Sequence, residues 1–256
     1  MSEFGEPGEL TVTPLTGLPE VAPGFDLGKA LAEATDFEDG DVVAISQKVV
    51  SKTEGRFVAI DSVEPGSRAT ELAGELDRDP RELEVILGES ASVVRADRDR
   101  GILITETRHG FICANAGVDA SNSPTEGVLV LLPEDPDHSA REIRARIFEL
   151  TGVRPAVVIS DSFGRAWRLG QVEVAIGCAG LDPLDDWRGR SDGSGRELTA
   201  TEIGIADEVA SAADLARNKT SRTPAVRIRG LGRFVRADDG PGCRGQLRTA
   251  AEDLFR

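Results

Sequence analysis

Two short segments carry residue types suited to binding a cation. In ISDSFGRAWRLGQ, residues 159–171, Ser160, Asp161 and Ser162 follow directly on the apolar run 156–159. Such a run reads as a buried strand. A carboxylate and hydroxyls at its end suit Mg²⁺ or Mn²⁺, which takes oxygen ligands at about 2.1 Å. Arg165 and Arg168 come next, and two guanidinium groups beside a metal suit phosphate or carboxylate recognition. The alternative is a capped turn with surface arginines. In NAGVDASN, residues 115–122, Asp119 follows Gly117, a residue that lets the chain turn or be approached closely. Asn115 and Asn122 add amides that can bind a nucleotide or fix the loop. Asp119 and Asp161 thus form a candidate pair of metal ligands from separate strand ends. His109 is a candidate base or ligand, with an ordinary loop hydrogen bond as the alternative.

Positive charge is rationed. Formal net charge is −15, and lysine occurs only as Lys29, Lys48, Lys52 and Lys219. Lys48 and Lys52 lie four apart in ISQKVVSKTEGR, residues 45–56, which suggests an anion site or a solvated helix face. In ARNKTSRTPAVRIRG, residues 216–230, Asn218, Lys219, Thr220 and Ser221 fall between a helix and a strand. Amides, hydroxyls and a lysine there can cradle phosphates. This is not a P-loop, because GxxxxGK[ST] occurs nowhere. GRSDG, residues 189–193, matches GxSxG, but that elbow needs a preceding strand, a following helix and a later histidine. DDWR precedes it, GSGR follows it, and both histidines, His109 and His138, come earlier.

The elements that must position these residues are read from periodicity. Strands are expected over 41–46, 56–60, 92–95, 102–105, 128–132, 156–160, 172–176 and 225–228. Helices are expected over 27–34, 67–76, 80–87, 139–150, 200–215 and 246–255. In the fourth helix Ile143, Ile147 and Leu150 predict one buried face. Strands follow one another between 92 and 132, which favours a mixed α/β (α+β) fold over a regular doubly wound sheet. The 256 residues suit one domain spanning 1–256, with a weak lobe boundary at 131–140.

No run of about 18 apolar residues occurs, so no transmembrane helix is expected. The acidic N-terminus lacks the order of a signal peptide, and a cytoplasmic protein is expected. Cys113, Cys178 and Cys243 form no CxxC pair and read as buried thiols. The acidity disfavours nucleic acid and anionic membranes as partners. It fits a high-salt cytoplasm, where molar salt screens over about 3 Å.

Taken together the chain resembles the coenzyme F-420-0:L-glutamate ligases, GTP-dependent γ-glutamyl ligases of deazaflavin coenzyme biosynthesis. The resemblance rests on GLPEVAPG (17–24), DGDVVAISQKVVSKTEGR (39–56), ETRHGFICANAGVDASN (106–122), the long segment 160–198, ADEVASAADLARNKTSRTPAVRIRG (206–230) and EDLFR (252–256). It implies a fold of that family's own type, a two-part monomer and an intertwined homodimer. It implies GTP as co-substrate, coenzyme F-420-0 and L-glutamate as substrates, two divalent cations (Mg²⁺ or Mn²⁺) and a stimulating monovalent cation such as K⁺. By matching position, Leu18, Pro19, Glu20, Val21, Gln47, Lys48, Lys52 and Asn122 would contact GTP. Asp119 and Asp161 would hold the first metal, and Ser162 and Thr220 the second. The loop of Asn218, Lys219, Thr220, Ser221, Arg222, Thr223, Pro224 and Ala225 would close over the nucleotide. Family members often carry glycine where Asn218 stands. The lysines and Arg165 or Arg168 would assist charge in a locally positive pocket. Outside the resemblance, a metal-dependent phosphohydrolase and a GTP-binding sensor are the competing readings.

Overall fold

A computed structural model of the chain describes residues 8–119, 127–217, 222–249 and 251–253. The first elements are β1 Thr11–Leu15, α1 Leu27–Ala34, β2 Val42–Ser46, α2 Gln47–Thr53 and β3 Phe57–Ala59. Then come α3 Ser67–Leu76, α4 Pro80–Gly88, β4 Ser90–Asp97, β5 Ile102–Thr107, β6 Ile112–Ala114 and β7 Val128–Val130. The rest are α5 Pro136–Thr151, β8 Ala156–Arg165, β9 Arg168–Ala179, β10 Asp185–Asp186, β11 Glu202–Ile203, α6 Ile205–Ala216 and β12 Ala225–Arg229.

The main sheet has the order β1-β12-β2-β8-β9. β2 and β8 run parallel at its centre, and the other neighbours are antiparallel. Both central strands are covered on two faces, so they read as unbroken apolar runs, VVAI and AVVI. Val43, Ile45, Val157 and Ile159 face α1 and α5, packing with Leu31, Ala140, Ile143 and Ile147. Val42, Ala44, Ala156 and Val158 face α6, packing with Val209, Ala210 and Ala213. A third core joins Leu72 and Leu76 of α3, Leu83 and Ile86 of α4, Leu103 of β5 and Leu129 of β7. β4, β5 and β6 form their own antiparallel sheet. The mixed α/β expectation is met.

Helix ends follow local chemistry. The Asp79 side chain accepts from the Arg81 amide, and Pro80 opens α4. Asp135 caps α5 in the same way through His138, and α5 stops at Gly152 with φ 74°.

Some expectations need correction. Leu150 is 46% exposed, so the buried stripe of α5 is Ala140, Ile143 and Ile147. The helix expected over 200–215 starts only at Ile205. No helix forms over the described part of 246–255. A 3-10 turn, Cys243–Gln246, comes first, and Leu247 then packs against the α1/α5 core. Thr249 donates from its amide and hydroxyl to Glu252, a local turn that competes with helix. Among the described residues no helix is long and apolar enough to cross a membrane.

Candidate active site

β2 and β8 end together, with Ser46 opposite Ser160. Beyond their ends opens a cavity of about 1170 Å³. Carboxyl ends of parallel strands are the usual place for ligands in such sheets. β8 does not stop there, as the sequence suggested. A register shift between Ile159 and Ser160 re-aims the strand, which continues to Arg165 as a hairpin with β9. Asp161 therefore sits within a strand, and Ser162 lies opposite Glu173.

Asp119 arrives from another wall. Asn115, Ala116 and Gly117 are three consecutive residues with positive φ, at 56°, 52° and 71°. Side chains tolerate that region poorly, so the turn stores strain that the surroundings must hold. A Cβ on Gly117 would also lie 2.7 Å from Leu132 side-chain atoms. This is why the segment is built from small residues. Just beyond, Asp119 exchanges two backbone hydrogen bonds with Val130, 3.0 and 2.8 Å, and its carboxylate points to Lys48 at 2.7 Å.

Asp161, Asp119 and Glu173 all line the cavity. Burial pushes the Asp161 carboxyl up to about 7, with the Ser162 amide and Lys48 opposing and the Glu173 and Asp119 charges adding to the rise. A group in that state gains from a nearby cation. The donor set, carboxylates plus the Ser162 hydroxyl, is the hard-oxygen kind that Mg²⁺ or Mn²⁺ takes, so the residues fit divalent cations. Lys52 donates to Glu20 at 2.7 Å, and this bond with its charge, helped by Arg222, holds the Glu20 carboxyl below its ordinary value.

Most of the expected residues converge. Leu18, Pro19, Glu20, Val21, Lys48, Lys52, Asp119, Asp161, Ser162, Arg222, Thr223 and Pro224 line the cavity. Gln47 does not; it is 2% exposed and accepts from the Ser51 hydroxyl. Ala225 is fully buried in the sheet. Arg165 lies on the exposed hairpin, donating to the carbonyls of Leu169 and Gly170, and is not part of the lining. His109 is also outside it, with Nε2 3.0 Å from the Glu134 carbonyl. Asn122, Asn218, Lys219, Thr220 and Ser221 fall outside the described residues.

Sequence reasoning missed Glu173, Arg217 and Asp214. Glu173 and Arg217 are an ion pair at 3.2 Å with side chains 8% and 7% exposed. A charged residue alternating into an otherwise apolar strand, as in VEVAI, was the available signal. Among the described residues the cavity lining holds five carboxylates and four cationic side chains. Cys113 lines it too, but burial first, then the Asp161 charge, pushes its thiol up to about 12. That makes it a poor nucleophile.

A second cluster lies elsewhere. Asp137, Cys178 and Cys243 bring three donor atoms within 4.8 Å of one another, all buried. The cavity carboxylates do not converge so closely. Here one Asp137 oxygen accepts the amides of both Cys178 and Cys243 at 2.8 Å, which is a structural use of the carboxylate. The three cysteines are free and buried, as expected.

The chain is similar to known proteins along most of its length. Residues 17–230 match the family model described as F420-0:Gamma-glutamyl ligase. A protein named coenzyme F420:L-glutamate ligase from Methanopyrus kandleri is 46% identical over 249 residues, covering 96% of this chain and 98% of its own. One of the same name from Methanothermobacter thermautotrophicus is 41% identical, covering 94% and 96%. Another, from Methanocaldococcus jannaschii, is 44% identical and covers 86% of each chain. With the family model spanning most of the chain, this protein belongs to the F420-0:gamma-glutamyl ligase family.

Proposed function

We propose that the chain is a GTP-dependent ligase that adds L-glutamate to coenzyme F-420-0. The observation that supports it most is one cavity lined by Asp119, Asp161, Ser162, Lys48 and Lys52, in a chain matched along its length by relatives of that name.

The chemistry follows from the reactants. A carboxylate acylates poorly because its oxygen leaves badly. Transfer of the γ-phosphoryl of GTP to the terminal carboxylate of coenzyme F-420-0 gives an acyl phosphate and GDP. The glutamate amine then attacks the carbonyl, the amide forms, phosphate leaves, and the amine loses a proton. A second glutamate would join through the γ-carboxylate of the first.

Divalent cations, when bound, neutralise charge on the phosphoryl oxygens. In this reading Asp119 and Asp161 hold the first cation, and Ser162 with Thr220 the second. K⁺ serves as the monovalent activator. Leu18, Pro19, Glu20 and Val21 with Lys48, Lys52, Asn122 and the 218–225 loop hold the nucleotide. Gln47 and Ala225 would contribute through main-chain groups. Arg165 is turned to its own hairpin, so Arg222 and the lysines meet the phosphate charge instead.

The chain forms one domain, 1–256, of two lobes, and pairs as an intertwined homodimer. The β8–β9 hairpin supports this, with Trp167 80% and Leu169 97% exposed at its tip. A single-subunit mass in sedimentation at micromolar concentration would remove the dimer. A −15 charge suits a salt-rich cytoplasm, and thermal stability that does not rise from low to molar KCl would remove that part.

The deciding experiment is mass spectrometry of coenzyme F-420-0, L-glutamate, GTP and Mn²⁺ in high KCl, omitting each in turn. A product heavier by one or two glutamyl units, formed only with GTP, is expected. GDP release without that product would favour a phosphohydrolase, and GTP binding without turnover a sensor.

A further inference from the structure

We propose that Glu173 is a positioning residue for the divalent-cation site and that it acts through Ser162. The inference rests on the cation reading of the preceding section and deepens it.

Glu173 projects from β9 directly across from Ser162 on β8. One carboxylate oxygen takes the proton of the Ser162 hydroxyl, and the other takes that of Ser160 at 2.6 Å. Arg217, at the end of α6, donates to the second oxygen at 3.2 Å and to Ser160 Oγ at 3.3 Å. Its other terminal nitrogen reaches the Pro224 carbonyl at 3.2 Å. Ser211 of α6 donates to the Glu173 carbonyl at 3.0 Å. The carboxylate is thus fixed in plane and place by groups from β8 and the end of α6, and Ser211 holds its main chain.

An ionised carboxylate has no proton to give, so both serines must be donors in these bonds. A hydroxyl can serve a cation as a neutral ligand only through an oxygen lone pair, and its hydrogen must then point away. Glu173 supplies the acceptor that turns the Ser162 hydrogen aside. Both Glu173 oxygens already accept hydroxyl protons, and one also takes Arg217. That places the residue behind Ser162 rather than on the cation. Partners of this kind orient the ligating atoms, and their loss typically weakens metal binding about 10–100-fold.

Gln at this position keeps the shape but offers one acceptor and one donor, so one serine hydrogen must reverse. Mn²⁺ binding read by electron paramagnetic resonance, with GTP present and coenzyme F-420-0 omitted, tests this without turnover. Glu173→Gln and Ser162→Ala should each weaken Mn²⁺ about tenfold or more. Glu173→Gln placed on Ser162→Ala should add less than about twofold, because the route is already cut. Ser160→Ala should lower the thermal midpoint yet shift Mn²⁺ affinity less than about threefold. Unchanged affinity in Glu173→Gln, or losses that add in the double variant, would overturn the inference. Should Glu173→Gln not fold, Ser162→Ala and Ser160→Ala decide, and equal losses of Mn²⁺ affinity from the two overturn it. A parent protein that binds no Mn²⁺ with GTP would instead remove the cation reading on which all of this stands.

Discussion

Asp137 is buried and Asp161 is partly buried, and their surroundings treat the charge in opposite ways. Asp137 lies in the first turn of α5 and receives two main-chain amides. Asp161 lies beside Glu173 and Asp119, which raise its carboxyl further than burial alone does. In the first place the fold supplies the positive partners. In the second it collects negative groups around a cavity and leaves part of the compensation to whatever enters. A buried carboxylate held by amides is a rivet; one held among carboxylates is a socket.

The largest expected effect breaks the socket alone. Asp161→Asn keeps the shape and removes the charge, so GTP-dependent glutamylation should fall roughly a thousandfold. The free energy of unfolding should change by no more than about 1 kcal/mol. Rates from product mass and a denaturant titration check both. Equal loss of stability and rate would erase the distinction. The rivet should respond the other way. Asp137→Ala leaves two buried amides without an acceptor, at about 1–3 kcal/mol each, so stability should drop by roughly 2–6 kcal/mol.

A reactivity test comes next. Cys113 borders the socket but carries a thiol raised to about 12. Alkylation at pH 8 should run more than about a hundredfold slower than that of free cysteine, because little thiolate is present. Rapid labelling of Cys113 in the folded protein would show that the cavity wall is more open than described.

The smallest effect sharpens the rivet side. Asp207, near Cys243, has its carboxyl raised by burial against the Ala175 amide and the Gln246 side chain. A folded value above the unfolded one gives stability that is complete below the unfolded pKa. It is lost as pH rises through the folded pKa. The thermal midpoint should therefore decline over that window, starting from the ordinary carboxylate range, and Asp207→Asn should flatten that decline. An identical slope in the variant would dismiss the assignment.

Much of this was legible in the chain. β2 and β8 announced themselves as apolar runs because both faces are covered, and the caps Asp79 and Asp135 marked their helices. Asp119, Asp161, Lys48 and Lys52 were found by type and local context, and the fold gathers them. Glu173 was not found, since its meaning comes from a strand partner that only the hairpin register reveals. β1 was missed because Pro14 and alternating threonines make a weak strand, which succeeds here at an edge. Arg165 was misleading for the opposite reason. Its spacing from Asp161 is short, but a continuing strand carries it away to the hairpin tip.

The order of strands in the main sheet also has a bearing on how the chain is made. Val42 pairs with Ala156, and Thr11 pairs with Arg229. β12, which comes near the end of the chain, lies between β1 and β2. Contacts this distant in sequence form slowly, after long loops have closed. During synthesis α3, α4 and the β4–β6 sheet can assemble from neighbouring residues, whereas the main sheet is complete only once β12 has emerged from the ribosome. A nascent chain halted before residue 225 would hold every cavity carboxylate named above and still lack the strand that joins β1 to β2.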